Sequence, residues 1–395
     1  MKSIKYIDKK LFSVKGRRIM SKFQKVIASI VLCFTLISIS IAKNPAADYR
    51  YLIKSQEFKY DEGEKGWVAK TEKVEFPYDE LIYSWSIHLS KGEGMRLFLK
   101  AGFDDGSSSP WLYAGYWGSV ELIGDRKNPE FEKGYVDMDT LKLKEKASSF
   151  QFKVMSDGEN PLSVCPDLHV IITDTNPNET LSKKYNLPIS KDSVKDVKIM
   201  DLPLRLQQDS KGNPLPDRCQ SAAVATAMEY YGKNIGLENI IPYTTDSEYH
   251  YFGIWPRTIE AAIEFGFDAY IDRFRNWDYV RKTLKEGKVI LCSINMPEND
   301  NYIAPPYPYM SGHIVALNGV TDDGRVVVTD SALRRNNRGY LCQWKVEDFQ
   351  KVWMQNKGGV GMVICPPKGF QEKDITELAP FPKRDYKPKT TEKTN

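Results

Sequence analysis

The feature that most constrains the fold is a change in hydrophobic periodicity along the chain. In the segment LIYSWSIHLS, every second side chain is apolar and falls on one face: Leu81, Tyr83, Trp85, Ile87 and Leu89. Similar short segments continue to about residue 175, separated by turns rich in Gly, Asp, Asn and Ser. Such alternation is typical of strands with one buried face. Residues 43–175 are therefore predicted to form an antiparallel β-sandwich domain.

Beyond a polar linker predicted at 176–198, the pattern becomes mixed. Helical spacing over 219–231, 257–266 and 277–287 is followed by the strand-like segments KVILCSIN, HIVALNGV, RVVVTDSA and VGMVICP. The sequence therefore predicts an α+β domain over 199–370. The remaining residues, 371–395, are rich in Pro, Lys and Thr and are predicted to be disordered.

The first 42 residues have the pattern of an export signal. A basic stretch precedes sixteen mostly apolar residues, VIASIVLCFTLISISI, and Ser40 and Ala42 supply small residues for cleavage. The apolar run is short for a membrane-spanning helix, so we expect no stable span after cleavage. The mature protein is predicted to be exported, to a periplasmic or extracellular location.

The formal net charge of +4 comes from this segment, which holds nine Lys and Arg and one acidic residue. Without it, 47 basic residues face 51 acidic ones. No basic stripe interleaved with aromatic residues appears, so no nucleic-acid partner is expected.

Five cysteines follow the signal, and an odd number in an oxidising compartment leaves at least one thiol unpaired. None lies in a CxxC or Cys/His cluster, so no metal and no cofactor are predicted. Cys219 begins the helical segment CQSAAVATAMEYYG. Asp217 and Gln220 have the spacing of a capping box, which would make Asp217 the N-cap and Cys219 the second helical residue. A helix N-terminus stabilises a thiolate, although a half-buried structural cysteine fits the pattern too.

A cysteine nucleophile needs a base and a group that orients the base. The chain has four histidines, and His313 opens the hydrophobic strand HIVALNGV. The next strand, RVVVTD, ends at Asp330. If the turn between them centres on Asp322 and Asp323, Asp330 lies opposite Val315 and shares a face with His313. The sequence therefore predicts a Cys219–His313–Asp330 site.

Two glutamines precede this cysteine in the segment LPLRLQQDS, at positions 207 and 208. A side-chain amide can join the Cys219 backbone N–H in holding the oxyanion of a tetrahedral intermediate. Alternation along the segment does not choose between Gln207 and Gln208.

These features resemble the C39-type peptidases, papain-like cysteine peptidases named for the processing of bacteriocin leaders. The likeness rests on the helical cysteine, the segment Leu202–Asp209, the pair Gly312-His313 and the strand that ends in Asp330, and it covers about residues 199–367. The WLYAGYWG region also resembles the β-domain attached to exported relatives. One departure is Gln220-Ser221, where the family commonly has Gly or Ser followed by Pro.

The resemblance implies a papain-like fold and four roles. Cys219 would be the nucleophile, His313 the base, Asp330 the orienting acid and Gln207 the oxyanion donor. The predicted function is that of an exported cysteine peptidase that hydrolyses peptide or protein substrates.

The alternative is an exported binding module with weak or no catalytic activity. It would hold a glycan or protein partner through an aromatic cluster in the β-domain: Trp111, Tyr113, Tyr116 and Trp117. These aromatic residues can equally fill the core or the contact between the domains.

Overall fold

The computed structural model describes residues 45–121, 131–185, 197–298, 300–334 and 337–384. The predicted signal segment 1–42 lies outside these residues. None of the helices in the described part of the chain combines the length and the apolar character that a bilayer span requires.

Nine strands of the described chain form one antiparallel sheet, here called the β-domain. They are β1 (Ala47–Ile53), β2 (Lys59–Asp61), β3 (Gly66–Val68), β4 (Glu72–Ser86), β5 (Gly94–Gly102), β6 (Leu112–Gly118), β7 (Gly134–Asp137), β8 (Thr140–Ser156) and β9 (Asp167–Asp174). The long strands β4 and β8 pair with each other and with different neighbours along their length, so the sheet curves around one core. Leu81, Tyr83 and Trp85 of β4 are buried in this core as predicted, but the opposite face is buried as well, with Ile82 and Ser84 both at 0% exposure.

The C-terminal domain places helices against a six-stranded antiparallel sheet. The helices after the linker are α2 (Cys219–Tyr230), α3 (Leu237–Thr244), α4 (Trp255–Glu264), α5 (Trp277–Lys285) and α6 (Val346–Gln350), the last continued by a π-helical turn, Lys351–Gln355. The strand order is β13 (Ala269–Arg273), β18 (Val360–Ile364), β14 (Val289–Met296), β15 (Met310–Val320), β16 (Arg325–Thr329) and β17 (Cys342–Lys345). Two short strands, β11 (Thr245–Asp246) and β12 (Tyr251–Phe252), form a separate hairpin.

The predicted fold class is confirmed: an antiparallel β-domain precedes an α+β domain. The two domains share buried surface, since Ile82 and Ile171 of the β-domain belong to the core cluster of the C-terminal domain. Ion pairs cross the contact, with Arg50 Nε 2.6 Å from Asp272 Oδ1.

Two segments expected to be irregular contain regular structure. Within the predicted linker, Glu179–Tyr185 forms helix α1, and residues 186–196 lie outside the described chain. Within the predicted disordered tail, β19 (Asp374–Ile375) pairs with β10 (Ile199–Met200). Disorder from residue 371 is therefore wrong for this part, because backbone pairing offsets its polar composition; residues 385–395 lie outside the described chain.

Candidate functional site

Cys219 is the first residue of helix α2, and the helix cap differs from the prediction. Arg218 is the N-cap, and Asp217 adopts a left-handed backbone conformation with φ of 60°. The expected capping box is wrong because the Gln220 side chain points into the protein. Its amide donates to Ile254 O at 2.7 Å and accepts from Gly253 N at 2.7 Å. Gln220 therefore holds the loop that leads into α4.

His313 and Asp330 meet as the hairpin arithmetic predicts. His313 lies on β15, and its Nε2 is 2.7 Å from Asp330 Oδ1, directly after β16. The pairing of Ala316 with Thr329 places Asp330 next to Val315 in register. Both side chains of the pair are buried, at 4% and 0% exposure.

A β-bulge at Asn318 makes this register possible. Nearer the turn, Val320 pairs with Val326, and the register shifts between Leu317 and Gly319. Without this extra residue, Asp330 would face the opposite side of the sheet from His313. The Asn318 side-chain amide stabilises the bulge, since it donates a hydrogen bond to Met200 O at 2.8 Å and accepts one from Thr329 Oγ1 at 3.0 Å.

The pKa values of Cys219 and His313 are shifted in opposite directions. Burial by itself would raise the pKa of the Cys219 thiol, but the hydrogen bond and charge of His313 lower it below the usual pKa of a thiol. The Ile314 and Gln220 backbone N–H groups act in the same direction. Burial also opposes protonation of His313, yet the charge and hydrogen bond of Asp330 raise its pKa to about 10. The site therefore favours a thiolate beside an imidazolium.

The structure separates the two candidate glutamines. Gln208 is exposed, whereas Gln207 is 6% exposed and is held on both sides. Its Oε1 accepts from the Arg218 backbone N at 2.9 Å, and its Nε2 donates to Ser331 Oγ at 3.1 Å. Gln207 therefore connects the residue before Cys219 with the residue after Asp330.

Ser331 was not identified from the sequence. The sequence feature that points to Ser331 is its position directly after Asp330, the predicted orienting acid.

Cys219 and His313 line a cleft of about 560 Å³ that both domains build. The turn between β7 and β8, residues 137–140, supplies part of its wall. From this turn, Asp139 Oδ2 accepts a 2.8 Å hydrogen bond from the Trp255 backbone N at the start of α4. Burial raises the pKa of Asp139 to about 6, against that hydrogen bond and the charge of Lys357. No local sequence pattern indicates this long-range contribution.

The aromatic cluster of the β-domain is not an exposed platform. Tyr113, Tyr116 and Trp117 are 5%, 7% and 4% exposed. The Tyr116 hydroxyl accepts from Ser247 N at 3.1 Å, and Arg257 lies 4.3 Å from its ring centroid. These partners belong to the C-terminal domain, so the cluster forms the contact between domains.

Trp111, the fourth residue of that cluster, is half-buried within the β-domain. Its Nε1 donates to Glu64 at 2.8 Å, and the ammonium groups of Lys100 and Lys153 lie 4.2 and 4.7 Å from its ring. The stacking surface that the alternative function requires is therefore occupied by the protein's own side chains.

The five cysteines of the described chain are unpaired in the structure. Burial raises the pKa of four of them, Cys165, Cys292, Cys342 and Cys365. Cys219 alone among these five has a lowered pKa. Within the described residues, no group of three or more His, Cys, Asp or Glu is placed to hold a metal ion.

Two family models match the chain. The C39-like peptidase family matches residues 199–360, and the C39 peptidase N-terminal domain matches residues 37–168. The resemblance to the C39-like peptidases stated from the sequence is therefore confirmed over these two segments.

Solved structures with similar chains include two of this kind. The peptidase domain of Streptococcus ComA, described as a bi-functional ABC transporter involved in a quorum sensing pathway, is 16% identical with a TM-score of 0.27. That match covers 38% of this chain and 93% of the other. A C39-like peptidase from Bacillus anthracis is 13% identical with a TM-score of 0.32. That match covers 45% of this chain and 100% of the other. A search of curated proteins gives no match.

Proposed function

We propose that the protein is an exported cysteine peptidase in which Cys219 is the nucleophile. The observation that carries this proposal is the buried contact of His313 with Asp330 on one side and with Cys219 on the other. His313 Nε2 is hydrogen-bonded to Asp330, which leaves His313 Nδ1 to face the Cys219 thiol. A thiolate held at a helix N-terminus by an imidazolium is an activated nucleophile.

The Cys219 thiolate attacks the carbonyl carbon of the scissile peptide bond. The resulting oxyanion is held by the Cys219 backbone N–H and by Gln207 Nε2. His313 then gives its proton to the leaving amine, the C–N bond breaks and a thioester remains. Water attacks the thioester while one of its protons passes to His313, and collapse of the intermediate restores the thiolate and releases the acid product, which loses its remaining proton to solvent.

Asp330 orients His313 throughout the reaction. Its hydrogen bond to Nε2 fixes the ring, and its charge stabilises the imidazolium. Gln207 is held in place before substrate binds, since its carbonyl oxygen is bound to the Arg218 N–H and its amide nitrogen to Ser331. Prior positioning of this kind lowers the cost of oxyanion binding.

A peptide library tests this proposal. Wild type and Cys219→Ala are incubated with a proteome-derived peptide mixture, and new termini are identified by mass spectrometry. Cys365→Ala is the matched control, because Cys365 is half-buried and its thiol pKa is raised. Wild type and the control should produce the same new termini, and Cys219→Ala should produce none. New termini that persist with Cys219→Ala would contradict the proposal.

Export is the second part of the proposal, and rests on the apolar run and the small residues before position 43. When the full chain is expressed in a bacterium with an intact export system, the protein recovered outside the cytoplasm should begin at Lys43. Recovery of protein only in the cytoplasm, starting at Met1 or Met20, would contradict export and leave the peptidase proposal standing.

A further inference from the structure

Lys357 occupies a distinctive place in the substrate cleft. It follows the π-helical turn Lys351–Gln355 and lines the same cleft as Cys219 and His313. The side chain is half-buried, and its ammonium lies 5.2 Å from the centroid of the Trp255 ring. The cation therefore lies beside the aromatic wall that Trp255 gives the cleft.

The other three Lys and Arg residues of the cleft lining are neutralised by carboxylates. Lys142 lies 2.6 Å from Asp137, Arg273 lies 3.1 Å from Glu80, and Arg275 lies 2.7 Å from Asp48. The first pair is partly exposed, and the two arginines are largely buried. These cations have protein partners and leave little charge for a substrate.

Lys357 differs because its ammonium has no ion pair or hydrogen bond within the described part of the chain. Asp139 attracts it electrostatically. The Asp139 carboxylate already accepts hydrogen bonds from the Trp255 backbone N at 2.8 Å and from Thr140 Oγ1 at 3.3 Å. Burial of the ammonium is thus only partly compensated by the protein.

We propose that Lys357 binds a carboxylate of the peptide substrate and makes the protein selective for anionic peptides. This inference rests on the proposed function only in taking the cleft as the substrate site. Two groups share the required chemistry, an Asp or Glu side chain near the scissile bond and the C-terminal carboxylate of a short peptide. A charge-assisted hydrogen bond in a half-buried site should favour the anionic peptide roughly tenfold to a hundredfold.

Cleavage specificity gives the first test. Wild type, Lys357→Met and the exposed control Lys368→Met digest the same proteome-derived peptide mixture. The most frequently cleaved sequence is then synthesised with Glu or Gln at the enriched position, and as a free acid or an amide. Wild type and Lys368→Met should prefer one carboxylate form roughly tenfold or more in kcat/KM, and Lys357→Met should lose that preference. Equal rates for all forms with wild type would overturn the inference and leave the peptidase function intact.

Binding gives a second test that needs no hydrolysis. The same mixture is passed over immobilised Cys219→Ala and over Cys219→Ala/Lys357→Met, and the retained peptides are identified. Selective retention by the first protein alone of peptides rich in Asp or Glu, or of synthetic free-acid peptides over their C-terminal amides, supports the inference, even if wild type cleaves nothing. Equal retention by the two proteins, including none by either, overturns it.

Discussion

Replacing Asp330 with Asn separates the charge of the orienting group from its shape. Asn keeps an oxygen that can accept from His313 Nε2, now 2.7 Å from Asp330 Oδ1, but it carries no charge. The pKa of His313 is raised from 6.5 to about 10 although burial opposes this. That difference corresponds to about 5 kcal/mol in favour of the imidazolium. Asp330 and the Cys219 thiolate supply it together, with Asp330 the larger contributor.

Asp330 supplies half or more of the free energy that favours the imidazolium. Removal of its charge should therefore lower the His313 pKa by about two units. A raised histidine pKa keeps the active ion pair present until the pH passes that pKa, so the basic limb of kcat/KM should move from about 10 to about 8. The loss of kcat/KM should consequently be about twentyfold greater at pH 9.5 than at pH 7.

The assay is hydrolysis of one cleaved peptide from pH 5 to 10.5 by wild type, Asp330→Asn and Asp323→Asn. Asp323 is the matched control, because it lies in the exposed turn of the same hairpin and pairs with Arg325. Its replacement should leave the profile unchanged. An Asp330→Asn profile with an unmoved basic limb, or an identical shift with Asp323→Asn, would refute the assignment of His313 and Asp330.

Two further perturbations test the oxyanion donor and the shared cleft. Gln207→Ala should lower kcat on the order of 10²–10³-fold, as for other oxyanion donors, while the exposed Gln208→Ala stays within about twofold of wild type. Asp139→Asn should raise the free energy of unfolding at pH 7. The folded pKa of about 6 lies above the unfolded value, so ionised Asp139 destabilises the native state by up to about 3 kcal/mol above pH 6.

Each of these two predictions has a defined failure. Equal losses for Gln207→Ala and Gln208→Ala would remove the oxyanion role. For Asp139→Asn, urea unfolding should show an advantage over wild type that is small at pH 4 and grows toward pH 7, because Asn still accepts from the Trp255 N–H. An advantage that does not change with pH would contradict the burial of an ionised carboxylate.

Local patterns sufficed for the parts of the site that lie on neighbouring strands. The alternation of HIVALNGV and RVVVTD placed His313 and Asp330 on one face, and the structure brings them together. The assumed turn gave the correct register at Ala316, although the hairpin starts one residue out of step and Asn318 restores it. A bulge of this kind depends on contacts with Met200, which lies far away in sequence.

Features that depend on contacts between distant segments were missed. The motif of Asp217 and Gln220 fits a capping box, but the Gln220 side chain instead makes two hydrogen bonds with the loop before α4 and one with Thr258 Oγ1 inside that helix. Similarly, the sequence analysis placed all candidate catalytic residues in the C-terminal domain and did not indicate that the β-domain lines the cleft. The β7–β8 turn reaches it because Asp139 binds the start of α4, more than a hundred residues later.

The central claim, that Cys219 is the ionised nucleophile, is tested most directly by labelling the intact protein with iodoacetamide at pH 6. Mass spectrometry follows the modification of each cysteine while peptide hydrolysis is measured in the same samples. The lowered pKa of Cys219 predicts that it is modified first, ahead of the four cysteines whose pKa burial raises. Activity should fall in proportion to Cys219 modification. Full modification of Cys219 with undiminished hydrolysis, or its recovery in a disulfide from active protein, would contradict the claim.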